Sequence, residues 1–150
     1  LVTAYAVIAR GGVIVKPHII ASMITATGEQ EVPLQEGERV ISQETSQTIT
    51  AMLVSVVKNG FSKKAGVHGY SIAGKSGTAQ IPNTNSPGYS DETIHSFIGF
   101  GPIDENGPVF VMLVKLDKPK GIPYASDTAA PLFSDIARFI LNYFEIPPEE

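Results

Sequence analysis

Apolar positions along this chain form two helical stripes separated by strand-like runs. Ile49, Met52, Leu53, Val56 and Val57 recur at i, i+3, i+4, i+7 and i+8, the spacing of one helix face. Ser42 stands where an N-cap accepts a backbone N–H, Glu44 follows in the first turn, and Gly60 closes the segment. A broader stripe, Leu132, Phe133, Ile136, Phe139, Ile140, Tyr143 and Phe144, predicts a helix from about Asp127 to Phe144 that must pack on something, most simply a sheet. Pro131 suits only its first turn, and "EIPPEE" reads as a helix-terminating tail. Leu1 to Arg10 reads as a helix end closed by Gly11-Gly12.

Between these helices the pattern shortens. "VIVKPHIIASMITA" (Val13 to Ala26) is β-branched and broken by Pro17, which predicts two short strands. "TGEQEVPLQEGERV" is polar with Gly and Pro, the pattern of a turn or hairpin loop. "YSIAGKSGTAQI", "HSFIGFGPI" and "PVFVMLVKLD" read as three strands, the last apolar enough for burial on both faces. Their links are too short for crossover helices, so the strands are antiparallel neighbours. Asp104, Glu105, Asn106 and Gly107 suit a hairpin turn. "IPNTNSPGYSDE" is a loop that either gates a groove or merely connects two strands. The fold class is α+β: an antiparallel sheet with packed helices.

Composition narrows the chemistry. A chain of 150 residues with 43% hydrophobic and 17% charged residues is one domain's worth and folds around a core. A net charge of -4 with no basic stripe argues against nucleic acid as a partner. Without cysteine, thiolate chemistry and disulfides are excluded. Three scattered histidines give little support to a metal site. His18 and His68 read as exposed, and His95 either as a proton carrier or as a polar residue starting its strand. No apolar run reaches the roughly 20 residues that span a bilayer.

One stretch, "GYSIAGKSGTAQ", fits two incompatible motifs. Gly69-x-x-x-x-Gly74-Lys75-Ser76 is a phosphate-cradling loop, which needs a helix directly after Ser76. Gly77-Thr78-Ala79-Gln80-Ile81-Pro82 is poor helix material, and the strands around it are antiparallel rather than the parallel βαβ units of that fold. Lys75-Ser76-Gly77-Thr78 is instead a strand motif in which lysine supplies positive charge and the hydroxyls supply donors. Gly77 would let another element approach, and a backbone N–H could serve an oxyanion hole. Period-2 alternation puts Ser76, Thr78 and Gln80 on one side and Lys75 and Gly77 on the other, so a ligand meeting both must lie along the strand's edge. On these four residues alone, a surface turn without chemistry stays equally open.

The flanking residues carry a resemblance. Lys75-Ser76-Gly77-Thr78-Ala79-Gln80, "HSFIGFGP", "VFVMLVKLDKP", the Ala-Ala-Pro-x-Phe signature at Ala129 to Phe133 and "AYAVIARGGVIVKPHII" together resemble the C-terminal part of the transpeptidase domain of class B penicillin-binding proteins. The Ser-Phe after His95 is more similar to the cell-division branch than to the elongation branch. The resemblance implies a serine D,D-transpeptidase at the extracytoplasmic face of the bacterial membrane, its anchor outside this chain, with no cofactor and no metal. Its partners would be the D-Ala-D-Ala end of a peptidoglycan stem peptide, β-lactams, the rest of the domain and division proteins. Lys75 would sit in the active-site polar network, Ser76 and Thr78 would bind the terminal carboxylate, the Thr78 N–H would share the oxyanion hole, and Gly77 and Gln80 would line the groove.

Two of the family's motifs are not found. No Ser-x-Asn occurs, and the Ser-x-x-Lys at Ser55 to Lys58 lies late in its helix, on the predicted solvent side. The nucleophile is therefore expected outside this chain, which would be an incomplete domain, inactive alone, marginally stable or associating. It would hold three strands of a five-stranded sheet. A serine β-lactamase or β-lactam sensor, and a non-catalytic interaction module of the same fold, are the alternatives.

Overall fold

The computed structural model describes residues 1–105 and 107–149. Helix α1 (Val2–Ala9) stops where Gly11 and Gly12 take φ of 66° and 99°, a region that only glycine enters freely. The Gly11 and Gly12 amides return to the Ile8 and Val7 carbonyls. The β-branched run forms β1 (Val13–Lys16) and β2 (Ser22–Thr25), as its pattern predicts. The polar stretch beyond is not a plain loop. It contains β3 (Gly28–Glu31), antiparallel to β2, and β4 (Gln35–Arg39), which returns to pair with β1. Every residue of β3 is exposed, so backbone pairing alone makes it a strand and no apolar alternation marks it.

Helix α2 (Gln43–Asn59) begins at Ser42, whose hydroxyl accepts the Thr45 amide at 3.0 Å, and ends at Gly60. Its inner face is Ser46 and Val57, with Ile49 and Leu53 half-buried, while Met52 is 63% exposed. Of the expected stripe only Met52 thus faces outward, Val56 being half-buried as well, and Ser46 extends the inner face by donating its hydroxyl to the Ile8 carbonyl of α1 at 2.6 Å.

The three predicted strands are β5 (Ala73–Pro82), β6 (Tyr89–Gly101) and β7 (Phe110–Asp117), in one antiparallel sheet of order β5-β6-β7. The expected loop shrinks to residues 83–88, because Tyr89 to Glu92 already belong to β6. β7 is an edge strand in which only Val114 is buried, so its apolar run does not mean burial on both faces. Gly107 closes a turn onto the Asp104 carbonyl; Asn106 of that expected turn, like Glu150 of the tail, lies outside the described residues.

Helix α3 (Ala129–Tyr143) packs on one face of the sheet, where Phe133 meets Phe97 with ring centroids 4.7 Å apart. Residues alternate along β6, so Phe100 faces the other way and meets Tyr5 of α1. Of the seven large apolar residues predicted to form the inner stripe of α3, only Phe133 is buried. The inner face is Ala130, Phe133, Ala137 and Leu141, while Phe139 and Tyr143 are 68% and 72% exposed. Small residues bring the helix axis close to the sheet, and Phe133 fills the space between; full burial of such a ring contributes roughly 1.5–3 kcal/mol. The tail after α3 docks on the approach to β5: the Tyr70 hydroxyl donates to the Ile146 carbonyl at 2.7 Å, and the Glu149 amide to that of Gly69 at 2.7 Å.

Candidate active site

β5, like β7, is an edge strand of the sheet, and the motif residues lie along it. Opposite them on β6, Lys75 pairs with Ile98, Ser76 with Phe97, Gly77 with Ser96 and Thr78 with His95. Phe97 points to α3, so Ser76, Thr78 and Gln80 share the α3 side, and Lys75 and Gly77 share the opposite side with Phe100. Lys75, Thr78 and Gln80 are exposed, Ser76 and Gly77 half-buried. The Lys75 ammonium donates to the Ser76 carbonyl at 2.9 Å, along the rim of the strand. Gly77 has a packing reason within the sheet, since a Cβ there would lie 2.8 Å from Ser96 Oγ.

A layer of donors stands behind the two hydroxyls. The Ala125 amide donates to Thr78 Oγ1 at 3.0 Å, and buried Ser62 donates through its hydroxyl to Ser76 Oγ at 3.2 Å. Each such bond contributes about 1 kcal/mol and, more usefully here, fixes a rotamer. Ser62 immediately precedes a 3-10 turn at Lys63–Ala65 and Ala125 opens another at Ala125–Asp127, and Lys64 and Asp127 join the two turns by an ion pair of 2.7 Å. The hydrogen bond from Lys64, first, and its charge hold the Asp127 carboxyl below its ordinary value.

His95 differs from the expectation of a strand-start residue. It lies within β6, is fully buried, and its Nδ1 and Nε2 bond the hydroxyls of Thr128 at 2.8 Å and Thr93 at 3.0 Å. It anchors the start of α3, and both ring nitrogens are occupied. His18 and His68 are exposed, as expected. Sequence patterning gave no signal for Ser62, Ala125 or Thr128, because their roles come from contacts 14, 47 and 33 residues away along the chain.

The phosphate-loop alternative does not survive. β5 runs unbroken through Lys75 and Ser76 to Pro82, so no helix follows. Both of its glycines have packing reasons: a Cβ at Gly74 would lie 2.5 Å from the Phe97 ring, and Gly69, at φ 81°, lies under Pro148. Ser55 and Lys58 are both exposed and face different partners. Ser55 accepts from Asn59 at 3.2 Å, whereas Lys58 donates at 2.9 Å to Ser71, whose hydroxyl and amide both reach Glu149. A cavity of about 490 Å³ between α1 and α2 is lined by Ser46, Thr50 and Phe100 but by none of the motif residues. Among the described residues no group of three or more His, Asp or Glu is placed to hold a metal.

Residues 1–138 match the model of the penicillin binding protein transpeptidase domain. Penicillin-binding protein PbpB of Mycolicibacterium smegmatis is 40% identical over 95% of the chain and 24% of its own length. Stage V sporulation protein D of Bacillus subtilis is 36% identical over 99% of the chain and 23% of its own. The crystal structure of penicillin binding protein 3 from Mycobacterium tuberculosis, complexed with ampicillin, superimposes with a TM-score of 0.82 at 34% identity, covering 99% of this chain and 35% of that one. The chain therefore spans about a quarter of the length of the curated relatives it matches. It belongs to the class B penicillin-binding-protein transpeptidase family, and its α+β fold is that family's.

Proposed function

We propose that this family member is the C-terminal portion of a serine D,D-transpeptidase domain of the cell-division branch, working at the extracytoplasmic face of the bacterial membrane. The observation that carries this reading is the open edge of β5, along which an ammonium and two hydroxyls line one strand. An extended stem peptide ending in D-Ala-D-Ala would lie along that edge, its terminal carboxylate received by Ser76 and Thr78. The same hydroxyls would receive the carboxylate of a β-lactam; the related structure bound to ampicillin supports that ligand class.

The nucleophilic serine would come from a segment outside these 150 residues, since Ser55 and Lys58 have separate partners. Its oxygen attacks the carbonyl of the penultimate D-alanine. The carbonyl electrons move to oxygen, where the Thr78 N–H stabilises the oxyanion; a donor of this kind is worth about 10²–10³ in rate. The N–H of Thr78 suits that role, because the Ser76 carbonyl already faces the Lys75 side chain, and backbone groups two residues apart point to the same edge. Collapse expels D-alanine with a proton on its nitrogen and leaves an acyl-serine ester. The amine of a second peptide then attacks the ester, giving the cross-link and restoring the serine. Lys75 supplies positive charge near the attacking hydroxyl and the carboxylate.

Labelling of the full-length protein with a fluorescent penicillin tests this directly. Stable labelling that a D-Ala-D-Ala peptide slows is the expected result. Rapid release of hydrolysed drug would indicate a β-lactamase, and no labelling a non-catalytic module.

A further inference from the structure

We propose that Ser62 is a positioning residue that sets the hydrogen-bond polarity of Ser76, making the β5 edge selective for an anion; the inference rests on the carboxylate role proposed for Ser76 and Thr78. The Ser62 side chain is almost wholly enclosed, at 1% exposure, and its hydroxyl lies 3.2 Å from that of Ser76. A buried hydroxyl proton without an acceptor is strongly disfavoured, and Ser76 Oγ is the one side-chain partner of Ser62 among the described residues. The proton of Ser62 is therefore committed to Ser76.

Ser76 is differently placed. It is half-buried on an open strand edge, with its oxygen occupied from behind. Its own proton is left for whatever lies in front. Thr78 repeats the arrangement with a partner that can only donate, the Ala125 amide. Two hydroxyls, two residues apart on one side of β5, thus both accept from the protein and both keep a proton for the ligand. A carboxylate, with two oxygens that only accept, satisfies both; a carboxamide offers them one such oxygen instead of two. The layer behind is braced: Lys64 and Asp127 tie the two 3-10 turns, and Ser134 of α3 donates to the Gly66 carbonyl at 2.7 Å.

The test uses the full-length protein and two acyl-D-alanyl thioesters, whose leaving groups end in a carboxylate or a carboxamide. The readout is the ratio of their kcat/KM values. Ser62→Ala should lower kcat/KM for the carboxylate about fivefold while the carboxamide stays within about twofold, so the ratio falls. Ser62→Thr keeps the hydroxyl and should keep the ratio. Ser62→Cys, close in size and a weak donor, gives a second reading if the alanine variant does not fold. A ratio unchanged in the Ser62 variants, while Ser76→Ala collapses it, overturns the role of Ser62 alone. A ratio unchanged in Ser76→Ala and Thr78→Val as well overturns the carboxylate reading on which it rests.

Discussion

Gly74 and Gly99 stand opposite each other in β5 and β6, and a phenylalanine ring closes each position to any side chain. Phe97 lies over the first and Phe133 of α3 over the second. This contact lets α3 sit close to the sheet and explains why Gly74 belongs to the core rather than to a phosphate loop. A Cβ at Gly99 would lie 2.6 Å from the Ala73 carbonyl oxygen and 2.9 Å from the Phe133 ring, so neither backbone nor ring yields easily. Gly99→Ala is expected to destabilise by about 1–3 kcal/mol through overpacking. Urea unfolding of the full-length protein measures it; wild-type stability would contradict this packing.

Lys75 is exposed and its ammonium bonds only a backbone carbonyl of its own strand among the hydrogen bonds described. Its removal should leave stability within about 0.5 kcal/mol. If it serves the chemistry, Lys75→Ala should still slow penicillin acylation by roughly 10²-fold or more. Labelling kinetics and a thermal melt of the same preparation separate the two effects. Acylation at the wild-type rate would remove Lys75 from the proposed site.

Ser55 offers the opposite expectation. It is exposed on α2 and accepts from Asn59, with Lys58 turned toward Ser71. Ser55→Ala should label with penicillin within about twofold of wild type, since surface changes of this kind alter little. Lost labelling in a folded variant would make Ser55 the nucleophile and refute the placement of that group outside the chain.

Asp127 carries a pH signature. Its carboxyl is held below the ordinary value of 3.8 by the Lys64 hydrogen bond and charge. A depressed folded-state value means the pair's contribution is complete above that ordinary value and is lost as pH falls through the folded one. The stability gap between wild type and Asp127→Asn should therefore be constant near neutrality and close in acid. Both partners are solvent-exposed, so added salt should narrow it. A gap that persists at the acid end would show that the contribution is not ionic.

Features that neighbouring residues decide were legible along the chain. Ser42 and Gly60 bound α2 because caps act within one turn, and the order and direction of β5, β6 and β7 followed from short links. The alternation of Lys75 against Ser76 and Thr78 was legible for the same reason, as period 2 is a property of the strand itself. Tertiary structure decided which faces are covered. The large apolar residues of α3 were the natural choice for its inner side, yet of these only Phe133 is buried, and Ala130 and Ala137 flank it, because a helix so close to the sheet leaves room for small side chains beside the one ring and no local pattern encodes that distance. The hydroxyls of Ser62 and Ser76 meet only when the chain between them has folded back, so their hydrogen bond could not be read from spacing.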